Sequence, residues 1–178
     1  QGGSIKAESK LNKGTCFTVR IPYQIGDSTM LNNSEEEQVF IPIDKKRILV
    51  AEDVTINQII VRQILEEWGH EVVLVANGKE AFEAHKKSDF DLILMDIHMP
   101  EVDGYEETQM IRQMGDTIKA EIPIVALTAN AFKKETERFA EAGFNDYITK
   151  PFTELGLYDC IKKQLELNNL IDFSKNPT

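Results

Sequence analysis

Cysteine, tryptophan and basic residues are scarce in this sequence. Its 178 residues include two cysteines, one tryptophan and 20 basic residues against 30 acidic ones, which gives a net charge of −10. This charge argues against a surface that coats DNA or RNA and against binding to an anionic membrane surface. Cys16 and Cys160 form neither a metal motif nor a disulfide framework, so a reducing, cytoplasmic setting is expected.

Long apolar runs and several catalytic motifs are missing as well. No run approaches the length that spans a membrane and nothing is typical of a signal peptide, so we expect no direct membrane contact. The first residue is Gln1 rather than methionine, which suggests a piece of a longer chain whose upstream part could carry a membrane anchor. The sequence also has no Gly-Lys-Ser/Thr phosphate loop, no helix with two metal-spaced histidines and no Gly-x-Ser-x-Gly turn.

The beginning of the chain is unlike the rest. Segments 4–9 and 15–21 are predicted to be two short strands around a polar turn, and apolar residues alternate with polar ones in the second, as in a half-buried strand. Two strands alone are only marginally stable in water, so this hairpin should be an orphaned sheet edge or pack onto a neighbour. Residues 24–44 contain five acidic residues and no basic ones, which favours a linker.

From residue 45 onward, strand-like and helix-like segments alternate regularly. The predicted strands are 47–51, 71–76, 91–96, 122–128 and 146–149. The predicted helices are 56–68, 78–87, 105–114, 133–142 and 154–167, and residues 169–178 should be a flexible tail. Five βα units of this kind predict an α/β fold with a parallel sheet, right-handed crossovers and helices on both faces.

Polar residues stand where the predicted strands end. Leu92 to Met95 is an apolar run typical of a strand buried on both faces, and Asp96 is at its tip. The other strand ends that carry polar side chains are Glu52 and Asp53, Thr128, and Lys150. Open α/β sheets bind their ligands beyond the carboxyl ends of the strands, so these residues predict a single site.

The residue types at this predicted site indicate phosphoryl chemistry. Three carboxylates held together repel one another, and a divalent cation with oxygen ligands, Mg²⁺ or Mn²⁺, would relieve that repulsion. Lys150 and Thr128 can each hold one phosphoryl oxygen. Asp96, in the middle, is the predicted nucleophile and would form an aspartyl-phosphate.

Residues 45–168 resemble the receiver domain of a two-component response regulator. The matching segments are Glu52-Asp53, Asp96 with Met99-Pro100 and Asp103-Gly104, Ala126 to Ala129, and Tyr147 to Pro151. The resemblance implies a flavodoxin-like, doubly wound (βα)₅ sandwich of three layers with strand order 2-1-3-4-5. It also implies that a phosphohistidine donor phosphorylates Asp96.

The same resemblance assigns roles to residues around Asp96. One departure is Val54, because receivers fused to kinases usually have Asn there. Phosphorylation of Asp96 would reshape the face formed by the fourth helix, the fifth strand and the fifth helix of the βα repeat. The implied residues are Glu52, Asp53, Asp96 and the backbone carbonyl of His98 for Mg²⁺, Thr128 and Tyr147 for the switch, Lys150 and Pro151 for a cis peptide bond, and His98 and Asn130 for the rate of hydrolysis.

Residues 1–23 resemble the closing strands of a histidine-kinase ATP-binding domain, through Gly2-Gly3-Ser-Ile and Gly14 to Pro22. Together the two resemblances imply a hybrid histidine kinase. The residues that bind ATP in such a domain are absent, so the chain should accept phosphate and lose it slowly without itself using ATP. The implied partners are the upstream kinase domains of the same polypeptide and a histidine phosphotransfer protein, with no role for nucleic acid.

Two other functions stay open at this point. A phosphorylation-independent docking module usually lacks an acid, the lysine or the acceptor, and all of these are present here. A phosphohydrolase that works through an aspartyl-phosphate usually carries a second Asp two residues after the nucleophile, whereas His98 occupies that position.

Overall fold

The structure, a computed structural model, describes residues 2–22, 43–99, 103–129 and 133–175. The chain divides into two compact units, Gln1–Gln38 and Val39–Thr178. The predicted linker, 24–44, lies outside the described residues except for its last two. None of the helices that the described residues form combines the length and the hydropathy needed to span a bilayer.

The first unit contains an antiparallel hairpin of two strands, β1 (Ser4–Lys10) and β2 (Gly14–Arg20). The pairing places Ile5 opposite Val19, so one face of the hairpin is apolar. Every residue of both strands is nevertheless exposed, and Phe17 is 67% exposed. This exposure differs from the half-buried strand that the alternation in β2 predicts.

The second unit is a five-stranded parallel sheet with a helix after each strand. The strands are β3 (Arg47–Ala51), β4 (Glu71–Val75), β5 (Leu92–Asp96), β6 (Ile124–Thr128) and β7 (Asp146–Thr149). The helices are α1 (Thr55–Glu67), α2 (Gly78–Lys87), α3 (Gly104–Arg112), α4 (Thr117–Ala120), α5 (Lys133–Ala142) and α6 (Glu154–Lys175). The strand order is β4-β3-β5-β6-β7, which is 2-1-3-4-5 counted within this unit. The flavodoxin-like topology is confirmed.

Helices bury both faces of this sheet. In β3, Ile48 and Val50 join an apolar cluster with residues of α1 and α6, whereas Leu49 and Ala51 join a second cluster with residues of α2, α3 and α5. Every residue of β5 and β6 is buried. Burying one large apolar side chain contributes about 1.5–3 kcal/mol, which is why these strands are continuous apolar runs. The polar residues of β5 and β6, Asp96 and Thr128, stand at the last position of each strand.

Two features of the helices differ from what the sequence predicts. Helix α6 continues to Lys175, whereas the prediction ends it at Leu167 and makes 169–178 a flexible tail. That tail prediction is wrong as far as Lys175, because residues 168–175 contain neither Gly nor Pro to stop the helix. The sequence does not predict the four-residue helix α4. It begins after Asp116, whose carboxylate caps it by accepting hydrogen bonds from two backbone N–H groups, at 3.0 and 3.3 Å.

Gly104, at the start of α3, lies against the backbone at the end of β5. A Cβ atom at this position would be 2.5 Å from the Asp96 carbonyl oxygen, far inside van der Waals contact. The N–H of Gly104 also donates to the carbonyl of Ile97 at 3.1 Å, so the two segments cannot separate without losing this bond. The glycine is therefore required by the close approach of α3 to the strand that ends in Asp96.

Gly104→Ala should lower the free energy of unfolding by about 1–3 kcal/mol, the usual cost of overpacking. Urea denaturation of the two proteins measures the difference. Gly115→Ala is the matched control, because a Cβ there would meet no atom within 4 Å. Its effect should stay below about 0.5 kcal/mol, as for most surface substitutions. Equal losses in the two variants would contradict the special role of Gly104.

Candidate functional site

The strand ends bring the predicted site residues together at one edge of the sheet. Strands β3 and β5 pair in parallel register up to the residues before Glu52 and Asp96, which therefore follow side by side. The next strand, β6, ends one residue beyond the register of Asp96, at Thr128. The backbone N–H of Lys150 donates to the carbonyl of Thr128 at 2.7 Å, which fixes the end of β7 at the same edge.

Lys150 joins the two buried carboxylates of this edge. Its Nζ donates to Asp96 Oδ2 at 2.7 Å and also forms an ion pair with Glu52 Oε2. Glu52 is fully buried and Asp96 is 7% exposed, so both charges lie where an unpaired carboxylate would be costly. A single lysine thus compensates two buried negative charges.

The surroundings of Asp96 and Lys150 raise the pKa of both groups. Burial raises the pKa of the Asp96 carboxyl, although hydrogen bonds from Lys150 and from the His98 N–H, 3.0 Å from Oδ1, offset part of this effect. Burial lowers the pKa of Lys150, but its hydrogen bonds to Asp96 and Glu52 outweigh burial and the net pKa is raised. Lys150 therefore stays a cation at neutral pH, and Asp96 is more basic than an exposed aspartate.

Three carboxylates of the site are close enough to share a cation. One oxygen each from Glu52, Asp53 and Asp96 lie within 4.8 Å of one another. Asp53 is exposed whereas the other two are buried, so the group opens to solvent on the Asp53 side. A set of carboxylate oxygens is the donor chemistry that hard divalent cations prefer. The residues present therefore fit such an ion.

The two residues implied as a switch pair lie at different depths. Thr128, at the end of β6, is buried and only 1% exposed. Tyr147, in β7, is 38% exposed. The centre of its ring lies 5.5 Å from that of Phe139, a residue of α5 that belongs to the apolar core. The hydroxyl of Thr128 is thus inside the protein, near the acidic edge formed by Glu52, Asp53 and Asp96, while the ring of Tyr147 is partly in solvent.

The other implied positions surround the same edge. His98 is exposed, two residues after Asp96. The peptide bond between Lys150 and Pro151 is cis. Asn130 lies outside the described residues, so the structure does not place it.

Two side chains of α1 that the sequence gives little reason to single out contact Glu52, one at its carboxylate and the other at its backbone. Asn57 Nδ2 donates to Glu52 Oε1 at 2.9 Å, and Gln58 Nε2 donates to the backbone carbonyl of Glu52 at 2.6 Å. The backbone N–H of Val54 donates to the same Oε1 at 3.2 Å. Amides on a helix are ordinarily solvated, and the only signal in the sequence is their place on the first turn after a strand that ends in acids.

The fold and the site together define a class of protein: a doubly wound α/β domain with acids, a threonine and a lysine at the carboxyl ends of its strands. The profile of the response regulator receiver domain family matches residues 48–162. The chain belongs to that family.

Three similar proteins show where such domains occur. Hybrid signal transduction histidine kinase I of Dictyostelium discoideum is 38% identical over 125 residues, which cover 67% of this chain and 7% of that protein. Aerobic respiration control sensor protein ArcB of Escherichia coli K12 is 32% identical over 164 residues, 91% of this chain and 20% of that protein. The receiver domain of a sensor histidine kinase from Pseudomonas aeruginosa PAO1, solved with a magnesium ion coordinated in its active site cleft, is 36% identical with a TM-score of 0.63.

The match to the Pseudomonas aeruginosa domain covers 68% of this chain and 98% of that chain. The matched part of the chain is therefore a whole receiver domain of the kind found in hybrid sensor histidine kinases. The chain as a whole spans only 7% to 20% of the length of the two curated relatives.

Proposed function

We propose that this chain accepts a phosphoryl group on Asp96 from a phosphohistidine and so acts as the receiver step of a phosphorelay. The observation that carries the proposal is the position of Lys150, whose Nζ contacts the carboxylates of both Asp96 and Glu52. A cation fixed at this point can neutralise charge on a phosphoryl group that arrives on Asp96.

The transfer forms one bond and breaks one bond. A carboxylate oxygen of Asp96 attacks the phosphorus, the P–N bond of the phosphohistidine breaks, and the imidazole leaves with the electron pair and takes a proton from solvent. Such a transfer depends mainly on positioning and on neutralisation of charge. The pKa of Asp96, raised by burial, makes its carboxylate a better nucleophile. Lys150 and the hydroxyl of Thr128 would each hold one phosphoryl oxygen.

The acidic edge supports binding of Mg²⁺, with Mn²⁺ as a substitute. The proposed ligands are Glu52, Asp53, Asp96 and the backbone carbonyl of His98. When bound, the ion neutralises charge on the phosphoryl oxygens during transfer. The magnesium ion in the cleft of the Pseudomonas aeruginosa receiver domain supports this assignment.

The response to phosphorylation is proposed to be a shift between two populated states. In this scheme the Thr128 hydroxyl turns toward the phosphoryl group and Tyr147 moves inward after it. The partial exposure of Tyr147 supports such a movement, because its ring still has surface to bury. The face made by α5, β7 and α6 would change shape as a result, and His98 and Asn130 would set the rate of hydrolysis.

The receiver is proposed to be one part of a hybrid histidine kinase. In this proposal residues 45–168 are the receiver, 24–44 are a linker, and 1–23 are the closing strands of the kinase ATP-binding domain. The match to ArcB supports this division, because 91% of the chain cannot fit within residues 48–162 and the match must reach into residues 1–23. The upstream kinase domains would supply the phosphoryl group in the cytoplasm, and a histidine phosphotransfer protein would receive it.

Incubation of the chain with acetyl phosphate and Mg²⁺ tests the proposal. We expect intact-mass spectrometry to show one added phosphoryl group per chain, and none when EDTA removes the cation, because the acidic edge then repels the phosphoryl donor. Beryllofluoride, which imitates a phosphoryl group on a carboxylate, should shift the NMR signals of Thr128 and Tyr147. The absence of both a mass increase and a response to beryllofluoride would contradict the proposal. That result would favour a docking module. Repeated turnover of a simple phosphate ester would instead favour a phosphohydrolase.

A further inference from the structure

The carboxylate of Glu52 is held by hydrogen bonds on both of its oxygens. Oε1 accepts from Asn57 Nδ2 at 2.9 Å and from the Val54 N–H at 3.2 Å, while Oε2 contacts Lys150. Glu52 is fully buried, so water does not replace a partner that is removed. Its orientation is thus set by a small number of protein donors.

Asn57 is the only side chain among the described residues that donates to Oε1. The torsion that turns a glutamate carboxylate is broad and roughly two-fold, so it does not fix the group by itself. The remaining donor to Oε1, the Val54 N–H, is the longer of the two bonds. Loss of the Asn57 amide would leave Oε1 with the Val54 N–H alone, so that only this bond and the contact of Oε2 with Lys150 would orient the carboxylate.

We infer that Asn57 is a positioning residue for the divalent cation, acting through Glu52. By occupying Oε1, it keeps Oε2 directed toward Lys150 and the acidic edge. Residues that orient ligands in this way typically change metal affinity 10- to 100-fold when they are replaced. The inference rests on the proposed function, since that proposal supplies the cation.

The neighbouring Gln58 offers a matched control. Its Nε2 donates to the backbone carbonyls of Glu52 and Val75, at 2.6 and 3.3 Å, and so stabilises the same joint between β3 and α1 without holding the carboxylate through that amide. A substitution there disturbs the local fold but leaves the Asn57–Glu52 hydrogen bond in place. A comparison of variants at Asn57 and Gln58 therefore distinguishes the orientation of the Glu52 carboxylate from the stability of the joint between β3 and α1.

The experiment is a calorimetric titration of Mg²⁺ into the full chain and into Asn57→Ala, Asn57→Leu and Gln58→Ala. Leucine keeps the approximate size of asparagine, and besides Lys150 the groove beside Asn57 is lined by Ile60, Pro151 and Phe152, which can contact an apolar side chain. Both Asn57 variants should bind Mg²⁺ about 10-fold more weakly than wild type, the low end of the range for such residues. Gln58→Ala should stay within about twofold even if its melting temperature falls further.

A second readout separates positioning from general damage. With acetyl phosphate, the Asn57 variants should be phosphorylated slowly at low Mg²⁺ and at the wild-type rate once Mg²⁺ saturates the site. Wild-type Mg²⁺ affinity in both Asn57 variants would overturn the inference, as would an equal loss of affinity in Gln58→Ala. If wild type itself bound no Mg²⁺ and gained no phosphoryl group, the proposed function would fail and the inference with it.

Discussion

Asp96→Asn is expected to abolish phosphorylation by acetyl phosphate while leaving the chain folded. An amide has nearly the shape of a carboxylate but cannot act as the oxygen nucleophile that forms an acyl phosphate. Its oxygen can still accept the hydrogen bond from the His98 N–H, and Lys150 keeps its ion pair with Glu52. Intact-mass spectrometry after incubation with acetyl phosphate and Mg²⁺ should therefore show no mass increase in this variant.

Asp103→Asn is the control for this loss. Asp103 caps α3 by accepting hydrogen bonds from the backbone N–H groups of Tyr105 and Glu106, both at 3.0 Å, and asparagine caps a helix about as well. This variant should be labelled like wild type. Labelling that persists in Asp96→Asn would mean that the phosphoryl acceptor is another residue.

Arg112→Met should lower the free energy of unfolding by about 3–5 kcal/mol. The guanidinium of Arg112 donates to the backbone carbonyls of Gly143, Ala120 and Ile122, at 2.8, 2.6 and 2.8 Å. It also donates to the side-chain oxygen of Asn145 at 2.7 Å. Burial lowers its pKa to about 10, so the group is still a cation at neutral pH. Methionine would remove the donor of the three carbonyls, although Asn145 Oδ1 would keep its bond from the Ile124 N–H. It would also leave α3, α4 and the start of β7 without their common anchor.

The shift of the urea midpoint at an unchanged slope measures this loss. Arg62→Met is the control, because Arg62 is a surface residue whose ion pair with Glu66 is 3.8 Å long, and pairs of this kind are worth about 0.3–0.5 kcal/mol. Arg112→Lys should also be unstable, since one ammonium group cannot replace a planar fork of donors. A loss below about 1 kcal/mol in Arg112→Met, no more than an average substitution, would show that the acceptors find other partners.

The elements that the sequence predicts well are those with local signals. Helix α2 has the predicted bounds, Gly78–Lys87, because Asn77 caps it and the Glu80 carboxylate accepts a hydrogen bond from the N–H of Ala76. Helix α4 has weaker local signals and depends on contacts distant in sequence. The Lys119 ammonium donates to the carbonyls of His85 and Ser88 at the end of α2, at 2.7 and 3.2 Å. Such partners cannot be read from a segment of four residues.

The same distinction applies to the candidate site. The acids, Thr128 and Lys150 could be found from the sequence because each directly follows an apolar strand and parallel strands end at one edge. Arg112 could not, because its partners are brought near only by folding. Asn57 lies five residues after Glu52, and that place on the first turn of α1 is its only signal in the sequence. Arg112 and Gly143 are 31 residues apart. The roles assigned to Tyr147, His98 and Asn130 stay predictions that rest on the family resemblance.

The most direct test of the central claim is to identify the residue that carries the phosphoryl group. Borohydride reduces an aspartyl-phosphate to homoserine, so reduction of the labelled chain followed by peptide mass spectrometry marks the acceptor permanently. We expect homoserine at position 96 and aspartate at position 53, the exposed acid of the same group. Homoserine at position 53, or a phosphoryl group on His98 with position 96 unchanged, would contradict that claim.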